Sequence, residues 1–293
     1  MFGKRLMSSV VLVILALVLL LAGDGVLALG LLCLSLTAYR ELTKACGVTA
    51  GAQKTAEKAG KSKETAHTGG LGVSPLELAG YAGCVLYYLA VYGGAEPVYW
   101  IGVLGLAFLG MMFVYVFSFP GIHADTVMKA FFCLFYAPVL FSFIYLTREL
   151  PGGIYMVWLI FISSWICDTC AYLTGMAIGK HKLAPVLSPK KSVEGAVGGV
   201  LGSALVGALF GWLFLEKLFA DQNITWIAAL ICAAGAVISQ AGDLAASGIK
   251  RNHQIKDYGR LIPGHGGIMD RFDSVLFTAP IIYYLAILLI RFE

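Results

Sequence analysis

The feature that most constrains this chain is a series of apolar runs, each close to 20 residues long, that recurs from one end of the sequence to the other. A helix needs a run of this length to cross the hydrocarbon core of a bilayer, whereas outer-membrane barrels show shorter segments of alternating hydrophobicity. Charged residues make up only 13% of the chain, and soluble domains carry about 25%. The pattern therefore predicts an all-α, polytopic membrane helical bundle.

Nine apolar segments can be counted, so about nine transmembrane helices are expected. Their ranges are 6–22, 26–42, 76–92, 98–117, 127–146, 154–178, 195–218, 224–247 and 274–291. Lys4 and Arg5 precede the first segment, as in a signal peptide. Because no convincing cleavage site follows and a second apolar run begins at once, the first segment is interpreted as a retained helix.

The distribution of Lys and Arg predicts the orientation of the bundle. If the segments alternate from a cytoplasmic N-terminus, nearly all basic residues fall on the cytoplasmic side, and only Arg148, Lys217 and Arg291 remain outside. Cytoplasmic loops of membrane proteins are enriched in Lys and Arg. We therefore expect a multi-pass protein of the inner (plasma) membrane with the N-terminus inside and the C-terminus outside.

Composition divides the chain into four parts. Residues 1–48 are expected to form a transmembrane hairpin, and 74–150 a set of middle helices. The intervening residues 49–73 are rich in Ala, Gly, Lys and Thr, which predicts a flexible cytoplasmic loop. The part from 151 to 293 contains the polar clusters and is expected to be the catalytic domain, while the early helices are expected to be scaffold.

Small residues inside the apolar segments favour close helix packing. The segment 195–211 carries overlapping small-xxx-small patterns of glycine, a signal for helix association in membranes. Cys167 and Cys170 form a CxxC pattern, but they lie on a predicted membrane helix and are interpreted as small buried residues. The seven cysteines show no disulfide framework.

Three segments carry charges that helix packing does not need: "SPKKSVEG" (188–195), "SQAGDLAASGIKR" (239–251) and "KDYGRLIPGHGGIMDRFD" (256–273). In the second, Ser239, Asp243 and Ser247 recur at every fourth position and share one helix face. A carboxylate in an apolar helix is unfavourable without a partner. A bound cation and a structural Asp–Lys pair are both open as that partner.

The third segment combines acids, bases and glycines. Its basic residues taken singly could contact lipid headgroups, but this does not explain the glycines between 264 and 267, which allow a ligand to approach the backbone N–H groups. Asp270 and Asp273 follow on one helix face. Carboxylates suit Mg²⁺, and basic groups suit phosphate. The residues alone therefore predict metal-dependent chemistry on a phosphorylated substrate at the cytoplasmic membrane face.

Read as one string, "SGIKRNHQIKDYGRLIPGHGGIMDRFD" resembles the signature of phosphatidate cytidylyltransferases, also called CDP-diacylglycerol synthases. The resemblance is specific over about 165–275 and only architectural before that. The matching positions are Ser247, Lys250, Arg251, Lys256, Asp257, Pro263, His265, Gly266, Gly267, Asp270, Arg271 and Asp273.

The resemblance implies the reaction of CTP with phosphatidate, which gives CDP-diacylglycerol and pyrophosphate. It implies Mg²⁺ held by Asp243 and Asp270, with K⁺ as a candidate second ion. The residues assigned to catalysis are Asp243, Asp270, Lys250, Arg251 and His265. Those assigned to substrate are Lys190, Lys191, Ser247, Lys256, Asp257, Gly266, Gly267, Arg271 and Asp273. Asp168 and Glu194 are weaker candidates.

Two alternatives stay open. The chain could be a CTP-dependent enzyme acting on another lipid phosphate or a lipid alcohol, because the sequence does not show tail specificity. It could also be an ion-coupled transporter in which Asp168, Asp243 and Asp270 line an ion path, although no internal repeat is seen. Membrane lipid is an expected partner and nucleic acid is not. A homodimer is kept open.

Overall fold

The structure is a computed structural model that describes residues 13–49, 72–262 and 266–292. Within these ranges the chain forms nine helices, which confirms the all-α bundle. Seven of them, α2 and α4 to α9, are long and apolar enough to cross a membrane. The helices are α1 (Val13–Ala22), α2 (Asp24–Ala45), α3 (Pro75–Tyr92), α4 (Pro97–Phe117), α5 (Ala124–Glu149), α6 (Gly153–Ile178), α7 (Val193–Leu215), α8 (Ile224–Asn252) and α9 (Met269–Leu289).

Local sequence explains how α3 begins and why α5 is irregular. Ser74 and Glu77 form a capping box at the start of α3, with Pro75 in the first turn, where no N–H donor is needed. Helix α5 contains a π-helical turn over Phe135–Val139 that includes Pro138. Proline removes one backbone hydrogen bond from a helix. Similar turns occur at Ile162–Ile166 in α6 and Gly211–Leu215 in α7.

Glycines allow α7 to pack closely against α6 and α8. A Cβ atom added to Gly199 would lie 2.9 Å from Cys167 Sγ, and one added to Gly207 would lie 2.6 Å from Cys232 Sγ. These separations are too short for ordinary contacts, so larger residues would push the helices apart. The predicted packing role of the glycines is confirmed, and Cys167 is a free, buried residue as interpreted.

The structure corrects the prediction for the segment between α6 and α7. No strand was predicted in this segment, but β2 (Ser188–Ser192) pairs antiparallel with β1 (Lys182–Ala184). The two strands form a hairpin whose second strand leads directly into α7. Ser192 then caps α7 by accepting a hydrogen bond from Gly195 N–H at 3.2 Å.

The ends of the last two helices also differ from the expected ranges. Helix α8 continues to Asn252 rather than ending near 247, and α9 begins at Met269 rather than near 274. The apolar runs underestimate both helices because their polar ends extend past the hydrophobic stretch. The candidate residues Asp243, Lys250 and Asp270 therefore all lie on helices.

Polar contacts gather at one end of the bundle, where the hairpin, the C-terminal ends of α2 and α8, and the start of α9 meet. Two contacts join other segments: Arg148 Nε donates to Leu20 O at 3.0 Å, and Gln222 Nε2 donates to Arg291 O at 2.8 Å. The proposed domain boundaries stay predictions, and residues 50–71 of the 49–73 loop lie outside the described ranges.

Candidate active site

A cavity of about 440 Å³ opens between the hairpin and helices α6, α7 and α8. Its volume is in the range of small-molecule sites, about 300–1,000 Å³. Three of its lining residues, Lys190, Lys191 and Asp243, were predicted as site residues, and Asp168 was a weaker candidate. The polar and charged lining residues are Asp168, Ser188, Lys190, Lys191, Ser192, Gln240 and Asp243.

The β-hairpin positions the two lysines. Both are on β2, and Lys191 forms an ion pair with the carboxylate of Asp243 on α8. Both side chains of this pair are partly exposed, at 27% for Lys191 and 28% for Asp243. A ligand in the cavity can therefore reach the ammonium and the carboxylate without unfolding the hairpin.

Asp168 contributes a second carboxylate to the cavity. It lies on α6 and is exposed to this space. Asp243 and Lys191 lie within electrostatic range of its carboxyl group. The cavity thus combines two acids with two lysines on its wall, and Arg271 lies within electrostatic range.

Asp270 is the centre of a second group of contacts, beside the first. Its Oδ1 accepts from Lys250 Nζ at 3.0 Å. Its Oδ2 accepts from the backbone N–H of Tyr258 at 2.8 Å and of Gly267 at 3.0 Å. The Asp270 side chain is only 3% exposed. Asp270 therefore fastens the loop between α8 and α9 to the start of α9.

Tyr258 was not identified from the sequence. Its hydroxyl donates to Ala246 O at 2.9 Å, and Lys250 Nζ lies 5.3 Å from the centre of its ring. Burial raises the pKa of the Tyr258 phenol, which therefore stays a protonated donor. The residue folds the loop back onto α8 and shields the Lys250–Asp270 pair.

The turn before α9 has the predicted special backbone at Gly266, and the three N–H groups that follow this residue have carboxylate partners. Gly266 has φ +85°, a conformation that favours glycine. Gly267 N–H donates to Asp270, and the next two, Ile268 and Met269, donate to Glu41 of α2 at 3.1 and 2.9 Å. Among the glycine N–H groups predicted to be open to a phosphate, that of Gly267 is therefore already bound by a carboxylate of the protein. Substrate binding by Gly266 and Gly267 stays a prediction.

Glu41 corrects the expectation that all polar chemistry lies in the later part of the chain. The second apolar segment was expected to end at 42, but α2 continues to Ala45 and carries Glu41 in its last turns. No local signal identifies the partner of Glu41, because the contact joins residues more than 200 positions apart.

Asp273 links the two groups of contacts. It is 8% exposed, and its Oδ1 accepts from Ser274 N–H at 2.9 Å. Asp243, Asp168 and Lys250 lie within electrostatic range of its carboxyl group. The cavity and the Asp270 contacts therefore belong to one charged region.

The remaining candidates lie away from the cavity lining. Ser247 and Lys250 are partly buried on α8, and Glu194 holds the turn after α6 by accepting from the N–H groups of Lys180 and His181 at 3.1 and 3.2 Å. His265 lies outside the described residues. Residues on the outer surface of this region are Arg251, Lys256, Asp257, Arg260 and Arg271.

The two ion pairs, Lys191–Asp243 and Lys250–Asp270, also bear on metal binding. Within the described ranges, no three His, Cys, Asp or Glu side chains lie close enough together to hold a metal ion. Mg²⁺ is usually bound through one or two carboxylates plus waters and substrate phosphates. The pairs at Asp243 and Asp270 show that each carboxylate already attracts a cationic group. Asp243, partly exposed on the cavity wall, is the carboxylate that an ion bound with a phosphorylated substrate can reach, whereas both oxygens of Asp270 already have protein partners.

Comparison with known proteins gives consistent matches. The model of a family described as "Cytidylyltransferase family" matches residues 3–289. The chain is 35% identical over 194 residues to a phosphatidate cytidylyltransferase of Staphylococcus saprophyticus. The aligned residues cover 64% of this chain and 72% of the relative. It is 34% identical over 221 residues to a phosphatidate cytidylyltransferase of Staphylococcus aureus, with 73% and 80% covered.

Proposed function

The chain belongs to the cytidylyltransferase family, and we propose that it transfers the cytidylyl group of CTP to phosphatidate. The products are CDP-diacylglycerol and pyrophosphate. The observation that carries this proposal is the cavity at the polar end of a membrane bundle, lined by Lys190, Lys191, Asp168 and Asp243. The names of the relatives support the choice of substrates.

The lining of the cavity suits a substrate that is part lipid and part phosphate. Beside the lysines, the wall includes Tyr172 and Met176, both 68% exposed, and Leu183. Apolar side chains exposed on a membrane helix face lipid, whereas ammonium groups bind phosphate oxygens. A membrane-held phosphate monoester would contact both kinds of group at once.

In the proposed reaction an oxygen of the phosphatidate phosphate attacks the α-phosphorus of CTP. The new P–O bond forms as the bond to the β-phosphate oxygen breaks, and pyrophosphate leaves with the electron pair. The second pKa of a phosphate monoester is about 6, so the nucleophile is largely ionised near neutral pH and needs no strong base. Phosphoryl transfer of this kind depends on positioning and charge neutralisation.

The charged side chains divide these tasks. Lys190 and Lys191 bind phosphate oxygens at the cavity, and Lys250 and Arg251 bind them from the end of α8. Asp243 and Asp270 would hold Mg²⁺, which when bound neutralises charge on the phosphate oxygens. K⁺ as a second ion is proposed from the family resemblance alone. Asp168, exposed to the same cavity, is the nearest additional carboxylate.

We also propose the inner (plasma) membrane as the location, with this site on the cytoplasmic side. The structure contains seven helices long enough for a multi-pass membrane protein. The proposed side is supported by the excess of Lys and Arg in the loops that contribute to the site. CTP is a cytoplasmic substrate, so this orientation would place the cavity where CTP is present. A homodimer stays a prediction.

The test is a reconstituted assay with purified protein in mixed micelles of phosphatidate, with CTP and Mg²⁺. The proposal expects one pyrophosphate per CDP-diacylglycerol formed, measured by a coupled phosphate assay and by lipid mass spectrometry. The control replaces phosphatidate with diacylglycerol. Release of CDP with diacylglycerol would instead indicate a lipid-alcohol kinase. Ion uptake into sealed vesicles that contain the protein, without CTP turnover in the micelle assay, would indicate a transporter.

A further inference from the structure

A carboxylate from the second helix holds the start of the last one. Glu41 Oε1 accepts from Ile268 N–H at 3.1 Å, and Glu41 Oε2 accepts from Met269 N–H at 2.9 Å. N–H groups at a helix start have no partner within the helix, and the helix dipole there favours negative charge. Glu41 therefore supplies the side-chain cap that α9 itself lacks.

The fit around Glu41 is close. A Cβ atom on Gly259 or on Gly267 would overlap the Glu41 carboxylate, so two glycines make room for it from two sides. The preceding N–H group in the turn, that of Gly267, donates to Asp270. Glu41 and Asp270 thus bind three consecutive N–H groups between them, which fixes the turn relative to both carboxylates.

We infer that Glu41 is a positioning residue for Asp270 and the turn 266–269. The side chain acts through backbone contacts alone and does not line the cavity. By holding the first turn of α9, it sets where Asp270 meets Lys250. The N-terminal hairpin therefore contributes to the geometry of the site as well as to the scaffold. The activity readout of this inference rests on the proposed function.

The chain offers a matched control in Glu77. Glu77 Oε2 accepts from Ser74 N–H, and its Oε1 accepts from Thr43 Oγ1 on α2, both at 2.9 Å. It is 2% exposed and caps the start of α3. Glu41 and Glu77 therefore both join α2 to the start of another helix, but only Glu41 contacts the helix that carries Asp270.

The experiment compares Glu41→Ala, Glu41→Gln and Glu77→Gln with wild type in two assays. Hydrogen exchange of the peptide covering 266–272 reports the turn directly, and kcat and KM for CTP report the site. Removing a residue that orients a ligand group reduces activity by about 10- to 100-fold. We expect the Glu41→Ala substitution to reduce kcat by this factor and to increase the rate of amide hydrogen exchange at 266–272. Glu41→Gln, which keeps one acceptor oxygen, should recover part of both.

Glu77→Gln should lower the thermal stability, because it weakens the cap of a helix as Glu41→Gln does. It should leave kcat within about twofold, because Glu77 does not contact the helix that carries Asp270. Unchanged exchange at 266–272 in Glu41→Ala would overturn the inference, as would faster exchange with wild-type kcat. Equal losses of kcat in Glu77→Gln and Glu41→Gln would show a general stability effect and would also overturn it. Wild-type protein without nucleotidyl transfer would contradict the proposed function alone, and the exchange data would then decide the role of Glu41.

Discussion

The two carboxylates assigned to the metal should respond differently to the same substitution. The Lys250–Asp270 pair is largely buried, with side chains 15% and 3% exposed, whereas the Lys191–Asp243 pair is 27% and 28% exposed. In Asp270→Asn the amide oxygen can still accept from the backbone of the turn, but Lys250 loses its charged partner. In Asp243→Asn, water can replace the partner of Lys191.

The structure sets the size of the difference. Removing one partner of a buried ion pair is unfavourable by about 3–5 kcal/mol. A fully exposed pair contributes only about 0–1 kcal/mol, and the partly exposed Lys191–Asp243 pair lies between these limits. Native domains are stable by only about 5–15 kcal/mol. Asp270→Asn should therefore lower the unfolding temperature clearly, and Asp243→Asn should lower it less. The double variant Asp270→Asn/Lys250→Met should recover much of the loss, since no unpaired buried charge remains.

The assays are thermal unfolding in detergent and CTP-dependent pyrophosphate release. Both single variants should retain less than about a tenth of wild-type turnover, a loss of about 1.4 kcal/mol or more in transition-state stabilisation. Equal unfolding temperatures for the two variants would refute the assigned difference in burial. Turnover above that level in either variant would refute the metal assignment.

Three further predictions concern the turn, the cavity and the loop. Gly267→Ala should reduce kcat because its Cβ would overlap Glu41, whereas Gly110→Ala, where a Cβ meets no neighbouring atom, should behave as wild type in the same assay. Lys191→Met should raise KM for CTP about tenfold or more through the loss of a charge-assisted hydrogen bond, and Lys217→Met, an exposed residue after α7, should leave it unchanged. Deleting 52–68 should leave most activity, because that sequence has no ligand-type cluster, and complete loss in folded protein would contradict this.

Periodic and local signals explain why the helices could be predicted. Each apolar segment of the sequence corresponds to one helix of the structure, because membrane insertion requires an apolar run of nearly fixed length. The glycines of α7 were likewise informative, since close packing in membranes depends on small residues. The helix ends were less accurate because α8 and α9 extend beyond their apolar runs.

Long-range contacts explain why part of the site could not be predicted. Glu41 and Tyr258 are ordinary residues in their local sequence, and their partners become visible only when α2, α8 and α9 are placed side by side. The β-hairpin was missed for a related reason, because its strands are short and its lysines resemble a loop. By contrast, Asp243 and Asp270 were detectable from the sequence, because a carboxylate close to an apolar segment is unfavourable unless it has a partner.

The length of α8 relates the site to the depth of its lipid substrate. The helix begins at Ile224, and Asp243 lies 19 residues later, or about 28 Å along a helix with a rise of about 1.5 Å per residue. The hydrocarbon core of a bilayer is about 30 Å thick. If Ile224 lies at one boundary of the core, Asp243 lies at the other, and the turns that carry Lys250 extend into the headgroup layer. That is the level at which the phosphate of a membrane lipid lies. A lipid phosphate would therefore reach Asp243 and Lys191 by moving sideways into the cavity, with its acyl chains still in the bilayer, while CTP would enter from the water beyond Lys250.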